Sequence, residues 1–592
     1  MIFGLSAGLS EPASDTLHTS VVAADRVAVV SRTDTMSVSN SFSATDILLR
    51  ATGFHVSDNG GASGLKTLSL RGMGSAHTSV YVDGLRVGNV QSGQNDLGMI
   101  ATDHLSDVTV DYAQNSVSFN TARPVFRDSP VAGAVRLSAG SFGTWRPSVR
   151  MDFRMSDSMA LSVSGSGSIS KGNFKYGEGL VRENNDIRQV RAGVDLWGQT
   201  TDGDYHLKAY YNGVERGTPG SVDWPSDDRQ SDRNFFVQGV LTRSFSKIYS
   251  LRLGTKTSWD DIFYSSAWGD SRYQQAELQL NSLHTFRIYD WWKLSAAADI
   301  QWDALASTNY AASRLSVVST LSSSFRTDRF SADAAVEFTG ASDHGYCTRT
   351  ALSPSLQMRL ILTEYLSLTS FARRSYRVPT FNELYYVGYG NPDLRPESAW
   401  IADIGADFSV PAGNSWRISA RLDGFYNHLS DKITSAPTPE DPAIWAPYNI
   451  GKVASAGVDA SAGMVHEGEW RYSLDAKYSF LSAVDKTEGS YTFGQQIPYI
   501  SRHSLVVTGS VAWKDWALEP VWNMRGGRTD SAGELPDWNT LDLAMTKSLN
   551  IRGCCGLVLR LSAYNILNCR YETVIGYPMP GRSIIGGIEI KF

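Results

Sequence analysis

The last nine residues, Ile584 to Phe592, constrain the fold more than any other stretch. Read as a strand, Ile584, Gly586, Ile588, Ile590 and Phe592 share one face, and Ser583, Ile585, Gly587, Glu589 and Lys591 share the other. Successive side chains of a strand alternate, so one face is greasy and ends on an aromatic while the other is small or charged. That pattern suits a wall with lipid outside and a polar lumen inside, as in an outer-membrane barrel. The same period of two recurs upstream. Tyr249, Leu251, Leu253, Thr255, Thr257 and Trp259 alternate with Ser250, Arg252, Gly254, Lys256, Ser258 and Asp260. Trp416, Ile418, Ala420, Leu422, Gly424 and Tyr426 alternate with Arg417, Ser419, Arg421, Asp423, Phe425 and Asn427, and Leu505, Val507, Gly509, Val511 and Trp513 repeat the pattern. Arg417 and Arg421 cannot face hydrocarbon cheaply, so the alternation predicts that they line a wet or filled lumen.

Length and composition narrow the choice. At 592 residues the chain exceeds one ordinary soluble core. It has no apolar run of the ~18 residues that a membrane-spanning helix needs. A large soluble sandwich would alternate too, but it would not require aromatic residues bracketing so many strands; here there are 16 Trp and 26 Tyr. The net charge of -6 with balanced acids and bases argues against a nucleic-acid partner, which would need a basic face. The cysteines Cys347, Cys554, Cys555 and Cys569 lack zinc-ligand spacing and read as small hydrophobic filler, with a disulfide through Cys347 or Cys569 left open. No nucleophile elbow, His-Glu-x-x-His or phosphate loop is present, so the chain is not expected to be an enzyme.

The first 137 residues follow a different grammar. Ser43 to Asp46 is a capping signal for a short helix running through Arg50 and closed by Gly53. Leu65 to Arg71 and Thr78 to Val87 read as strands, the second folded at Asp83-Gly84 into a hairpin. This mixed α/β unit has modest apolar content and is expected to need the barrel around it. The division expected is 1–14 a signal remnant, 15–26 a coupling segment, 27–137 the small domain and 138–592 the barrel. Gly217 to Asp232 and Thr434 to Trp445 are polar and rich in Pro, Asp, Ser and Gly, and read as long loops.

Leu70-Arg71-Gly72-Met73-Gly74 followed by Val80-Tyr81-Val82-Asp83-Gly84-Leu85-Arg86-Val87 resembles the plug domain of TonB-dependent outer-membrane receptors. The resemblance implies an all-β transmembrane barrel of roughly 22 antiparallel strands, wide enough to need a plug. It also implies a Gram-negative outer-membrane location, a C-terminal strand that serves as an assembly signal, and import driven through TonB and its inner-membrane energising complex. Within that family the chain is most similar to cobalamin receptors. Four stretches carry this: Asp15 to Arg26; Asn59 to Leu65; Glu383-Leu384-Tyr385 with Tyr389 to Leu394 and Pro396-Glu397; and Tyr571 to Val574 with Gly576-Tyr577 and Gly581-Arg582.

The site residues implied fall in three groups. Leu17, Thr19, Val21, Val22 and Ala23 are expected to form the TonB box, pairing with the partner as an added strand. Asn59, Gly60, Ser63, Leu65, Asn89, Gln91, Ser92, Gln94 and Asn95 sit in turn-rich segments and are expected to bind ligand at plug loop tips. Cobalamin carries a rim of carboxamides, for which neutral amides and hydroxyls are matched partners. Asp223, Asp227, Asp228 and Asp232 are a candidate calcium site that would order one outer loop, with no other cofactor required. The expected function is TonB-dependent import of cobalamin or a related corrinoid, with outer-membrane lipid around the wall and a surface lipoprotein as a further candidate partner. The alternative within the family is a ferric-siderophore receptor. A haem receptor would carry a histidine between Pro379 and Asn391, and there is none. From other classes, a barrel lipase or protease and an open diffusion channel are both opposed by the plug-like first domain.

Overall fold

A computed structural model describes residues 32–38, 41, 43–344, 348–438, 444–529, 533–551 and 555–592. The segments 1–14 and 15–26, and with them Leu17, Thr19, Val21, Val22 and Ala23, lie outside the described residues, as do Cys347 and Cys554.

Twenty-two strands close into one antiparallel barrel. The C-terminal strand Ser583–Lys591 pairs with Cys555–Tyr564 on one side and with Val131–Gly140, the first barrel strand, on the other. The wall therefore begins at Val131 rather than at the boundary expected at 138. Ala132, Gly133 and Ala134 put small residues on both faces, so the start of this strand shows no alternation to read. At the C-terminus the two faces separate as expected. Ile584, Ile588, Ile590 and Phe592 are exposed on the outside, whereas Glu589 is buried inside between Arg136 (3.0 Å) and Arg560 (2.8 Å). In Trp416–Pro437, Leu422 and Tyr426 face outward while Asp423, Phe425 and Asn427 are buried in the lumen. Arg421 bonds there to Asp407 and Asp423.

The longest strands, Trp416–Pro437 and Trp445–His466, have 22 residues each. At about 3.3 Å per residue they far exceed an apolar band of about 25 Å, so the wall stands well clear of the membrane at one end. The other end has tight turns flanked by stacked rings, such as Tyr289 on Trp291 (5.1 Å) and Trp470 on Trp513 (5.1 Å). This protrusion corrects the loop expectation for Gly217 to Asp232. The stretch belongs to a hairpin of Gly203–Gly220 with Pro225–Ser244, and Gly217 pairs with Arg229 and Thr218 with Asp228. Above the membrane both faces of a strand meet polar surroundings, so a paired strand carries loop-like composition. Thr434 to Trp445 likewise contains the ends of the two 22-residue strands.

The plug sits inside. Five strands order as Thr33–Ser37, Leu105–Asp111, Ser116–Thr121, Ser79–Val82 and Leu85–Val87. Asp83 (φ 50) and Gly84 (φ 80) make the tight turn predicted between the last two. A second hairpin joins Phe54–Asp58 to Lys66–Leu70. The helix spans Ala44–Leu48, ending two residues before Arg50, with the Ser43 hydroxyl accepting from Asp46 N. Its buried face, Ile47 and Leu48, packs with Val108, Val110, Val117 and Phe119. The same core continues into the barrel wall through Phe371, Ala399, Ile401, Leu429 and Val453. The plug thus has no complete core of its own.

Buried ion pairs fasten plug to wall. Arg71 reaches Asp403 (2.8 Å) and Asp459 (2.8 Å), and Arg32 reaches Asp423 (3.0 Å) and Asp459 (3.1 Å). The Arg32 guanidinium lies 3.8 Å above the Tyr112 ring. A second tie joins Asp83 of the plug hairpin to Lys208 (2.7 Å), which also approaches Asp195 (3.4 Å). A third joins His77 to Glu397.

Candidate functional site

The plug's loop tips rise toward the end of the barrel opposite the tight turns. In the first tip, Asn59 N donates to Leu65 O (3.1 Å) and Gly61 N to the Asp58 carboxylate (3.0 Å). Gly60 (φ 98) and Gly61 (φ 90) supply the left-handed turns. The tip is tied to the wall twice: Ser63 Oγ donates to Asn185 Oδ1 (2.5 Å), and Thr573 Oγ donates to Asp58 O (2.7 Å). The second tip turns at Gly93, whose N donates to Asn89 O (2.8 Å). It is clasped from outside by the helix Phe381–Tyr385, as Phe381 N donates to Val90 O and Asn382 N to Gln91 O, both 3.0 Å. That helix contains the Glu383-Leu384-Tyr385 motif. Thr380 and Glu383 close its capping box, and Glu383 also holds Arg377 at 3.0 Å.

Between these tips and the protruding wall lies a cavity of about 1110 Å³. Asn59, Ser63, Leu65, Asn89, Gln91, Ser92, Gln94 and Asn95 line it; Gly60 does not. The facing wall supplies residues that strand alternation alone did not single out: Gln230, Asn234, Tyr264, Trp268, Tyr273 and Asn309, with Tyr386 and Tyr577 from the outer loops. Period two assigns a residue to the lumen but not to a height along the strand, so the signal for these residues was incomplete. The volume slightly exceeds the usual range for drug-sized ligands, about 300–1,000 Å³.

The cavity's charges are unevenly compensated. Lys208 is held by Asp83 and Asp195. Arg216 is held by Asp96 (2.7 Å) and Asp232 (3.2 Å). Asp228 and Asp260 also line the cavity, but their side-chain partners are neutral: Tyr264 O–H for Asp228 and the Asn234 amide for Asp260. Arg233 also lines the cavity, with no carboxylate at ion-pair distance among the described residues, so the wall presents carboxylates beside a guanidinium, whereas the plug tips present amides and hydroxyls.

The four aspartates of the candidate calcium site are not gathered. Asp223 lies in the turn between the two strands, Asp227 is exposed, Asp228 accepts from Tyr264 and Asp232 is buried against Arg216. Their spread follows from the hairpin, which points Asp227 and Asp228 to opposite faces. Among the described residues the one group of three with metal-ligand spacing is Asp83, Asp195 and His206, and the Lys208 ammonium already sits against two of its carboxylates.

His104 of the plug also lines the cavity. Burial pushes its pKa down to about 4, helped by Arg150 and Arg136 and opposed by Asp103. Unfolded histidine titrates near ~6.5. The stability linked to its neutral form is therefore complete above that value and is lost as pH falls toward about 4. At about pH 5 the loss should be at most about 2 kcal/mol, and hydrogen exchange of plug amides should report it. An unchanged acid sensitivity in His104→Gln would remove His104 as its source.

Comparison with known proteins agrees with this architecture. Residues 139–566 match the model "TonB dependent receptor-like, beta-barrel", and residues 22–124 match the TonB-dependent receptor plug domain. The vitamin B12 transporter BtuB of Vibrio vulnificus (strain YJ016) is 20% identical over 588 residues, covering 93% of this chain and 90% of that protein. Among solved structures, the copper transporter OprC superposes with a TM-score of 0.79 at 15% identity, covering 95% of this chain and 99% of that one. The siderophore receptor PirA from Acinetobacter baumannii gives 0.77 at 13%, covering 95% and 98%. These structural likenesses establish the fold. With residues 139–566 of the chain matched to the receptor barrel and a plug in the lumen, the chain belongs to the TonB-dependent receptors, transporters of the Gram-negative outer membrane rather than enzymes.

Proposed function

We propose that this receptor imports cobalamin or a related corrinoid. The observation that carries the reading is the set of neutral amides and hydroxyls on two plug tips facing a cavity far larger than a bare ion requires. A corrin rim of carboxamides offers both N–H donors and C=O acceptors. The plug amides would meet either, and Asp228 and Asp260 would accept from the N–H groups. An anionic ferric chelate would instead meet those two carboxylates, with Lys208 and Arg216 already held by carboxylates and Arg233 the one lining arginine or lysine, among the described residues, that none holds at ion-pair distance. The 20% identity to a vitamin B12 transporter supports the same choice. After capture, the segment containing Leu17 to Ala23 would pair with TonB as an added strand, which supplies the mechanical link to the energised inner membrane.

Calorimetry on the purified receptor in detergent tests the substrate. Cyanocobalamin should bind one to one, and Asn95→Ala should weaken it by roughly threefold to tenfold, the loss of one hydrogen bond of about 1 kcal/mol. Binding of a ferric catecholate with no response to cyanocobalamin would keep the transporter and replace the substrate.

A further inference from the structure

Two arginines of the barrel wall are buried without a counter-ion among the described residues. Arg525 ends the strand Trp516–Arg525, and Arg528 opens the short strand Arg528–Thr529 that pairs with Glu534–Leu535. They are 4% and 3% exposed. Arg525 donates to the adjoining carbonyl Met524 O (3.1 Å), and Arg528 donates to Pro536 O (3.4 Å). Among the described residues neither has a carboxylate at ion-pair distance. Asp537, Glu572 and the Tyr571 phenol act on Arg528 only through space, and the charge acting on Arg525 is that of Arg528 itself. His55, on the plug strand Phe54–Asp58, lies within electrostatic reach of both. Burial, then the charges of Arg528 and Arg525, push its pKa down to about 3. Arg528 Nε and His55 Nε2 are both sealed from solvent and have no hydrogen-bond partner among the described residues.

This contrasts with Arg32, Arg71 and Arg216, each of which meets two carboxylates. An unpaired buried ion carries a penalty of several kcal/mol, and a neighbouring like charge adds to it. Arginine cannot escape by losing its proton.

We propose that Arg525, Arg528 and His55 hold a small oxoanion of the sulfate or phosphate class between the plug hairpin and the barrel wall. Two guanidinium forks match the oxygens of a tetrahedral anion, and charge-assisted bonds of this kind are the strong ones. The imidazole supplies a further donor once it takes a proton, so anion binding is coupled to proton uptake at Nε2. None of the three residues lines the vestibule cavity, so the site is separate from ligand capture and does not depend on which substrate is carried.

Sulfate is the probe, because its charge is constant across the range in which histidine titrates. The full-length receptor in detergent is titrated with low-millimolar sulfate against chloride at matched ionic strength, followed by calorimetry and by Tm. The expected result is one saturable site, an upward shift in Tm, and tighter binding at about pH 6 than at about pH 8. Arg525→Gln and Arg528→Gln should each abolish the shift and also raise Tm in sulfate-free buffer, since each removes a buried repulsion. His55→Gln should keep binding and lose its pH dependence. The absence of a saturable effect in the natural protein would overturn the proposal. So would an equal response in Arg525→Gln, which would identify a general salt effect, or a lower Tm for both glutamine variants in sulfate-free buffer with the sulfate response intact.

Discussion

Asp459→Ala should unseat the plug. The carboxylate is fully buried and serves Arg32 (3.1 Å) and Arg71 (2.8 Å) at once, with Ser479 Oγ donating to its other oxygen at 2.6 Å. Removing it leaves two guanidiniums in a closed interior with Asp403 and Asp423 as their remaining acidic partners. Breaking a buried pair from one side typically costs about 3–5 kcal/mol, because the surviving charge stays desolvated. Here two charges share the loss, and the plug has no complete core to resist it. In planar bilayers the variant is expected to show large, long-lived conductance steps absent from the natural protein, and its plug should become sensitive to protease. Asp459→Asn should lie between the two. A closed, protease-resistant variant would mean that the shared apolar core, not the ion cluster, seats the plug.

Glu589→Ala should weaken the barrel at its closing seam. Glu589 is the one carboxylate between Arg136 on the first strand and Arg560 on the neighbouring one, at 3.0 and 2.8 Å. Without it the two arginines face each other across the C-terminal strand, with the plug's Asp103 3.6 Å from Arg136 as partial compensation. Arg136 and Arg560 are only about four-fifths buried, so the expected loss is toward the low end, roughly 3 kcal/mol. The readout is the temperature at which the folded, fast-migrating band on a detergent gel converts to the unfolded one. It should drop by many degrees, while Glu589→Gln should drop less. No change in that temperature would show that backbone pairing alone sets the seam's strength.

Much of this architecture was legible in the chain because lipid imposes a strict period. Leu422 and Tyr426 outside against Asp423 and Asn427 inside follow from the alternation alone. The Asp83-Gly84 turn was legible because few residues accept its backbone angles. The plug tips were legible from their amides and glycines. What the sequence hid was length and partnership. Gly217 to Asp232 looked like a loop because polarity marks both loops and strands raised above a membrane. The pairing of Asp232 with Arg216, and of Arg71 with Asp403 and Asp459, joins residues distant in sequence through barrel register, which local pattern does not encode. The facing wall of the cavity was hidden for the same reason.

The seam also dictates an order of events during biogenesis. The Arg136–Glu589 contact spans 453 positions, and the plug precedes both strands in the chain. Contacts so far apart in sequence form slowly. Until the final strand arrives, the ring is an open sheet with two unsatisfied edges, and the plug lacks the wall residues Phe371, Ile401 and Leu429 that complete its interior. The first segment made is therefore among the last to fold. A newly exported chain must travel with its N-terminal unit incomplete, and the enclosure that finishes this unit is the same step that removes the exposed edges from reach of other chains.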